Sequence, residues 1–214
     1  MDEDITIINS NTRKEKIKIF YSNNKKKIFS FVFIVILCIF IFFGYGDYKT
    51  KKKIKVSDLY NVTLINFNAD NKNKTLENLI QIIYQKDITY SPLSLYYIID
   101  NNLLSDRRKI NELFDVLINE TALEKEIKNL IIYKKALFNA DEIDESQLLD
   151  IIKPIINSES VWKSHALYLV AEYFYSKNEK KKSKEFFEKL INLPDANQNL
   201  KIKSQKRLTR DLSG

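Results

Sequence analysis

SESVWKSHALYLVAEYFYSKNEKKKSKEFFEKLINLPDA, residues 158–196, reads as two helices joined by a tight turn. In the first, expected over 161–177, Leu167, Ala171 and Phe174 recur at spacings of four and three and so share one face. In the second, expected over 179–192, Ser183, Phe187 and Leu190 do the same. The small residues Ala171 and Ser183 allow the two helices to touch, and Phe187 is placed to fill the next interface. All five larger and smaller apolar positions, Leu167, Ala171, Phe174, Phe187 and Leu190, are therefore expected to be buried. Asn178 stands at the turn where a glycine is usual, and Pro194 closes the pair.

The same pattern recurs along the chain. The helix endings Leu117-Ile118-Asn119, Ile155-Ile156-Asn157 and Leu190-Ile191-Asn192 are near copies, and with Ile82-Ile83 they place matching isoleucines at 83, 118, 156 and 191, separated by 35, 38 and 35. Helices following the first three endings begin Leu95-Tyr96, Leu130-Ile131 and Leu167-Tyr168, 35 and 37 apart. A helix pair of about 34 residues is the tetratricopeptide unit, whose apolar face is completed by stacking on its neighbours. The units diverge. Asn178 and Leu190 depart from the usual glycine and alanine, a shift of 37 puts Lys134 where a small residue belongs, and Pro154 interrupts a second helix.

Helices are expected near 56–68, 75–86, 91–104, 106–119, 122–140, 145–157, 161–177, 179–192 and 196–211. Ser91-Pro92 reads as an N-cap followed by proline at the first helical position. Thr121-x-x-Glu124 and Asp144-x-x-Gln147 fit the capping box. No period-two strand is visible, and three glycines and three prolines are too few for tight-turned β architecture. The fold class is all-α: a single N-terminal transmembrane helix followed by a tetratricopeptide-like α-solenoid of divergent helix pairs.

The transmembrane segment is IFSFVFIVILCIFIFF, Ile28–Phe43, sixteen residues with no charge, extended by Gly44-Tyr45-Gly46. It nearly covers a hydrocarbon core of roughly 30 Å, and it lacks the polar positions a soluble amphipathic helix shows. A cleaved signal peptide is the alternative, since Gly44-x-Gly46 offers small residues, but the run is bulky and 27 residues precede it. The organisation is a cytoplasmic tail at 1–27, a transmembrane anchor at 28–46 that meets the lipid bilayer, a basic juxtamembrane linker at 47–55, and a helical domain at 56–214. Seven basic residues before the span against five after it favour a cytoplasmic N-terminus.

Charge follows the membrane. Residues 1–27 carry a net +3 and residues 47–58 another +3, leaving about +1 of the total +7 for the rest of the chain. That distribution suits anionic headgroups and argues against nucleic-acid binding. The single cysteine, Cys38, lies in the span, and with one histidine, His165, no zinc spacing exists. The acidic cluster Asp141, Glu142, Asp144 and Glu145 lies in a helix connection rather than a shielded pocket. Glycines at 44, 46 and 214 cannot form a phosphate loop. The expectation is a non-enzyme with no cofactor, no metal and no small-molecule substrate.

An N-terminal anchor, a divergent helical-repeat domain and the segment 158–196, with Trp162 following a repeat ending and preceding an Ala-containing helix, together resemble the bacterial inner-membrane tetratricopeptide-like proteins described as ancillary subunits of the Sec translocon. The resemblance runs from about Ser22 onward and is carried by 145–196. It implies a single-pass protein of the bacterial inner (plasma) membrane with a periplasmic C-terminal domain. It further implies association with translocon subunits and with a membrane-anchored periplasmic chaperone of the prolyl-isomerase type, and it brings no catalytic residues.

For the partner surface, the stripe His165, Tyr168, Glu172 and Tyr175 shares one side of its helix at spacings of three, four and three. One unit earlier, a shift of 37 gives Lys128, Ile131, Lys135 and Phe138. These eight are the expected binding wall; packing of the tyrosines against the terminal helix 196–211 is the competing outcome. A second functional reading also stands. Asn61-Val62-Thr63, Asn73-Lys74-Thr75 and Asn119-Glu120-Thr121 match the glycosylation sequon, as expected of a single-pass structural or surface glycoprotein from an AT-rich eukaryotic parasite.

Overall fold

The structure, a computed structural model, describes residues 2–212, with side chains described from Lys14 onward apart from Tyr45 and Ala69. The described residues are helical, with no strand among them. The chain divides into two compact units, residues 1–55 and 56–214.

Helix α1 spans Asp2–Ile65. Its part in the first unit carries the apolar run, whose side chains from Phe29 to Phe43 are exposed. It is long and apolar enough to cross a membrane, and none of its most apolar window is buried within the protein. Gly44 and Gly46 lie within the helix, where an added Cβ would meet nothing within 4 Å, so neither is there for want of space.

Among the described residues, the second unit takes in the end of α1, a short 3-10 turn at Ala69–Asn71, and eight further helices. These are α2 (Lys72–Tyr84), α3 (Tyr90–Asp100), α4 (Arg107–Asp115), α5 (Lys125–Asn139), α6 (Glu145–Ile156), α7 (Lys163–Ser176), α8 (Lys180–Ile191) and α9 (Gln198–Arg210). Helix α4 passes into a π-helical turn, Val116–Glu120. The helices pack mainly on their neighbours in chain order, and α5 also meets α7 as α7 meets α9. Apolar clusters follow in the same order: one from Val56 to Ile131, one from Ile132 to Phe174, and one joining Ala171, Phe187 and Leu212.

The 35, 38, 35 spacing of the sequence is a ladder of buried positions. Thr75, Ile110, Leu148 and Ser183 form one rung set, Leu79, Phe114, Ile152 and Phe187 a second, and Ile82, Leu117, Ile155 and Leu190 a third; all twelve are at most 3% exposed. Leu167, Ala171, Phe174, Phe187 and Leu190 are likewise buried, as the sequence pattern anticipates.

The first helices α5 and α7 keep close to the expected 37 at their boundaries, starting 38 residues apart, at Lys125 and Lys163, and ending 37 apart, at Asn139 and Ser176. Helices α6 and α8 begin 35 residues apart, at Glu145 and Lys180, and end 35 apart, at Ile156 and Ile191. Buried positions of α5 and α7 do recur at 35, with Ile131 and Ala166, Ile132 and Leu167, and Ala136 and Ala171 all buried. Ala136 is a small, fully buried residue of α5, whereas Lys134 is partly buried with its ammonium 4.6 Å from the centre of the Tyr96 ring.

Three local expectations change as well. Ser91 is not an N-cap: α3 starts at Tyr90, the Asp87 carboxylate accepts from the N–H groups of Thr89 and Tyr90, and the Ser91 hydroxyl donates to the Ile82 carbonyl at 2.8 Å. Thr121 does not open a capping box, because its hydroxyl turns back to the Val116 carbonyl at 3.2 Å and closes the π turn. Pro154 does not break α6. Proline frees the carbonyl four residues back, here that of Asp150; both residues are exposed, so water can satisfy it. The Asp144–Gln147 box forms as expected, with both reciprocal bonds present.

Asn178 takes the place of the turn glycine in full. Its φ is 61°, and the pair of bonds from Glu179 N–H to Phe174 O (2.9 Å) and from Asn178 N–H to Tyr175 O (3.0 Å) closes α7. Asn102, with φ 48°, ends α3 in the same way. This is the left-handed helix terminus that favours glycine and, after it, asparagine.

Candidate protein-interaction surface

The eight residues of the expected wall lie in three different surroundings. Ile131 is fully buried in the core of the second unit, so no partner can reach it. Lys135 pairs with Asp115 at 2.7 Å and keeps only 16% of its side chain exposed. Phe138 lies against Phe114, with ring centres 6.0 Å apart, and beneath the Arg107 guanidinium at 4.3 Å. Lys128 is partly buried on α5.

On α7, the stripe is divided between two neighbours. His165 lies 5.2 Å from Trp162 and 5.9 Å from Tyr133, ring centre to ring centre. Burial pushes its pKa down from the ordinary value, outweighing a backbone contact at Val161 that raises it. Tyr168, Glu172 and Tyr175 face α9. The Arg207 guanidinium grips Glu172 with two bonds, 2.9 and 2.8 Å, and covers the Tyr175 ring at 4.5 Å. Such a bidentate pair is directional and stronger than a single contact. Burial first, and then the bond to Glu172, push the Tyr168 hydroxyl up to about 12. Arg210 first, and then Arg207, hold the Asp211 carboxyl well below the usual range. Tyr168, Tyr175 and Leu208 close the last apolar cluster together. The tyrosines thus pack against the terminal helix.

The acidic cluster is likewise divided among separate tasks. Glu142 pairs with Arg107 at 2.8 Å, Glu145 binds Lys182, and Asp144 caps α6. Asp141 is exposed. The three sequons have exposed asparagines, but each threonine is buried and hydrogen-bonded. Thr63 accepts from Asn78 at 3.2 Å, Thr75 donates to Asn71 at 3.2 Å, and Thr121 donates to Val116. Those hydroxyls have a place in the fold irrespective of modification.

One recess was not foreseen. A cleft of about 810 Å³ opens beside His165, between the turn preceding α7 and the Pro194–Asn197 connection. Glu126 orders its rim, accepting from the Ser160 hydroxyl at 2.8 Å and from the Val161 N–H at 3.2 Å. The Ser164 hydroxyl accepts from the Asn197 N–H at 3.3 Å on the other side. Sequence spacing gives no sign of it, because it arises where two successive connections meet.

No family model matches the chain, and no curated protein or solved structure matches it significantly.

Proposed function

We propose that the chain is a membrane-anchored protein-interaction scaffold: a single-pass anchor carrying a tetratricopeptide-like solenoid that associates with the Sec translocon and a periplasmic chaperone during envelope-protein biogenesis. The observation that carries the scaffold reading is the reach of the polar contacts between helices. Lys86–Glu120, Arg107–Glu142, Glu126–Ser160 and Glu172–Arg207 pair across 34, 35, 34 and 35 residues, one repeat each. Together with the buried rungs they support an array in which each unit meets only its neighbours. The apolar helix supports the anchor. The resemblance of 158–196 supports the inner membrane, the periplasmic orientation and the translocon. In this reading the domain performs no catalysis and needs no cofactor.

Purification of the full chain in mild detergent, followed by mass spectrometry, tests the assignment. Translocon subunits and a prolyl-isomerase-type chaperone are the expected companions, and a reproducible set without either overturns it. The glycoprotein reading makes an opposing prediction, a shift in mobility after glycosidase. On the scaffold reading no shift is expected.

A further inference from the structure

We infer that the lysines following the apolar run form a collar for the headgroups of anionic phospholipids. The inference rests on the reading of Ile28–Gly46 as a membrane span and goes beyond it in naming a class of lipid. Lys49, Lys51, Lys52, Lys53 and Lys55 all belong to α1 and are all exposed. Only Lys51 has a carboxylate within reach, Asp47 at 3.0 Å, among the described residues. At 3.6 residues per turn, the five side chains spread over roughly 200° of the helix surface. That arc is far wider than the roughly 100° stripe a helix presents when it lies in a groove or flat on a surface. It suits a helix standing in a layer of small ligands that approach from several directions.

The axial positions agree. Lys27 and Lys49 bracket the run, and at about 1.5 Å per residue they stand about 33 Å apart, close to the roughly 30 Å of a hydrocarbon core. From Lys49 to Lys55 the helix rises about 9 Å, similar to the depth of one headgroup layer. Lysine stems can lie along the apolar boundary while the ammonium groups reach phosphate oxygens. Tyr48, exposed beside them, has the amphipathic character of interfacial aromatics.

The test counts lipid bound to the full chain. The protein is held in mixed micelles of equal phosphatidylcholine and phosphatidylglycerol, and retained lipid is identified by native mass spectrometry. Phosphatidylglycerol should be enriched several-fold, and the enrichment should fall in high salt. It should collapse when Lys49→Gln, Lys51→Gln, Lys52→Gln, Lys53→Gln and Lys55→Gln are combined, and persist when the same five are changed to arginine. Enrichment that is absent, or unchanged in the glutamine variant, overturns the collar. So does enrichment that persists while an acidic co-purifying protein is lost. Retention in neutral vesicles through an alkaline wash reports on the span separately: a chain that washes off defeats the span, while one that stays without headgroup preference defeats only the collar.

Discussion

Asn178 shows how one backbone angle fixes a helix pair. Its φ of 61° lies in the left-handed region, where glycine is unstrained, asparagine is tolerated and a β-branched residue is not. Asn178→Gly should therefore hold or raise stability by up to about 1 kcal/mol, and Asn178→Val should lower it by about 1–2 kcal/mol, in denaturant titrations. Phe187, fully buried on the second rung set, should cost about 3–5 kcal/mol when changed to alanine, and an unaltered unfolding midpoint would refute that packing. His165 is the only histidine and its pKa is lowered by burial, so the unfolded chain takes up its proton first as pH falls. Stability is then full above the unfolded value near 6.5 and is lost below it, down to the folded pKa. A thermal melt between pH 7.5 and 5 should show the loss, and His165→Phe should flatten it. Asp211, held low by Arg210 and Arg207, acts in a separate window, losing its contribution only as pH drops below about 3.8.

At the level of elements, α9 is the helix whose role decides where a partner can bind. It carries only Leu200, Ile202 and Leu208 as large apolar residues, yet it covers Tyr168 and Tyr175. Tyr168→Ala with Tyr175→Ala should lower the melting temperature clearly, and an unchanged melt would mean that the tyrosines are free of α9. Ending the chain at Ala196 should uncover the same stripe and likewise lower the melting temperature, while far-UV circular dichroism still reports a helical fold. The order and ends of the helices were legible because Leu-Ile-Asn endings and the Asp144 box mark termini chemically. The buried face of α5 was not, because Leu130, Ile131, Ile132 and Leu137 offer several apolar phases, and the stripe drawn through Ile131 took a core position for a surface one. The cover over the stripe was legible only as the competing outcome, because Arg207 clamps Glu172 and no apolar period announces an arginine clamp.

For the whole molecule, the anchor reading predicts that the intact mass of membrane-extracted protein includes residues 1–46; a mature chain starting at Asp47 would remove it. Among the described residues, the side-chain hydrogen bonds and ion pairs of the second unit reach no further along the chain than the 37 residues between Glu145 and Lys182. Short reach favours fast folding, since little loop entropy is lost before contacts form. It also has a mechanical side. If the domain is the proposed solenoid, a pull applied between its two ends loads neighbouring helix pairs in series, and among the described residues no polar side-chain strap ties distant pairs together. In a single-molecule stretching experiment the domain should therefore yield pair by pair, in small steps of similar length, and give way without one dominant rupture.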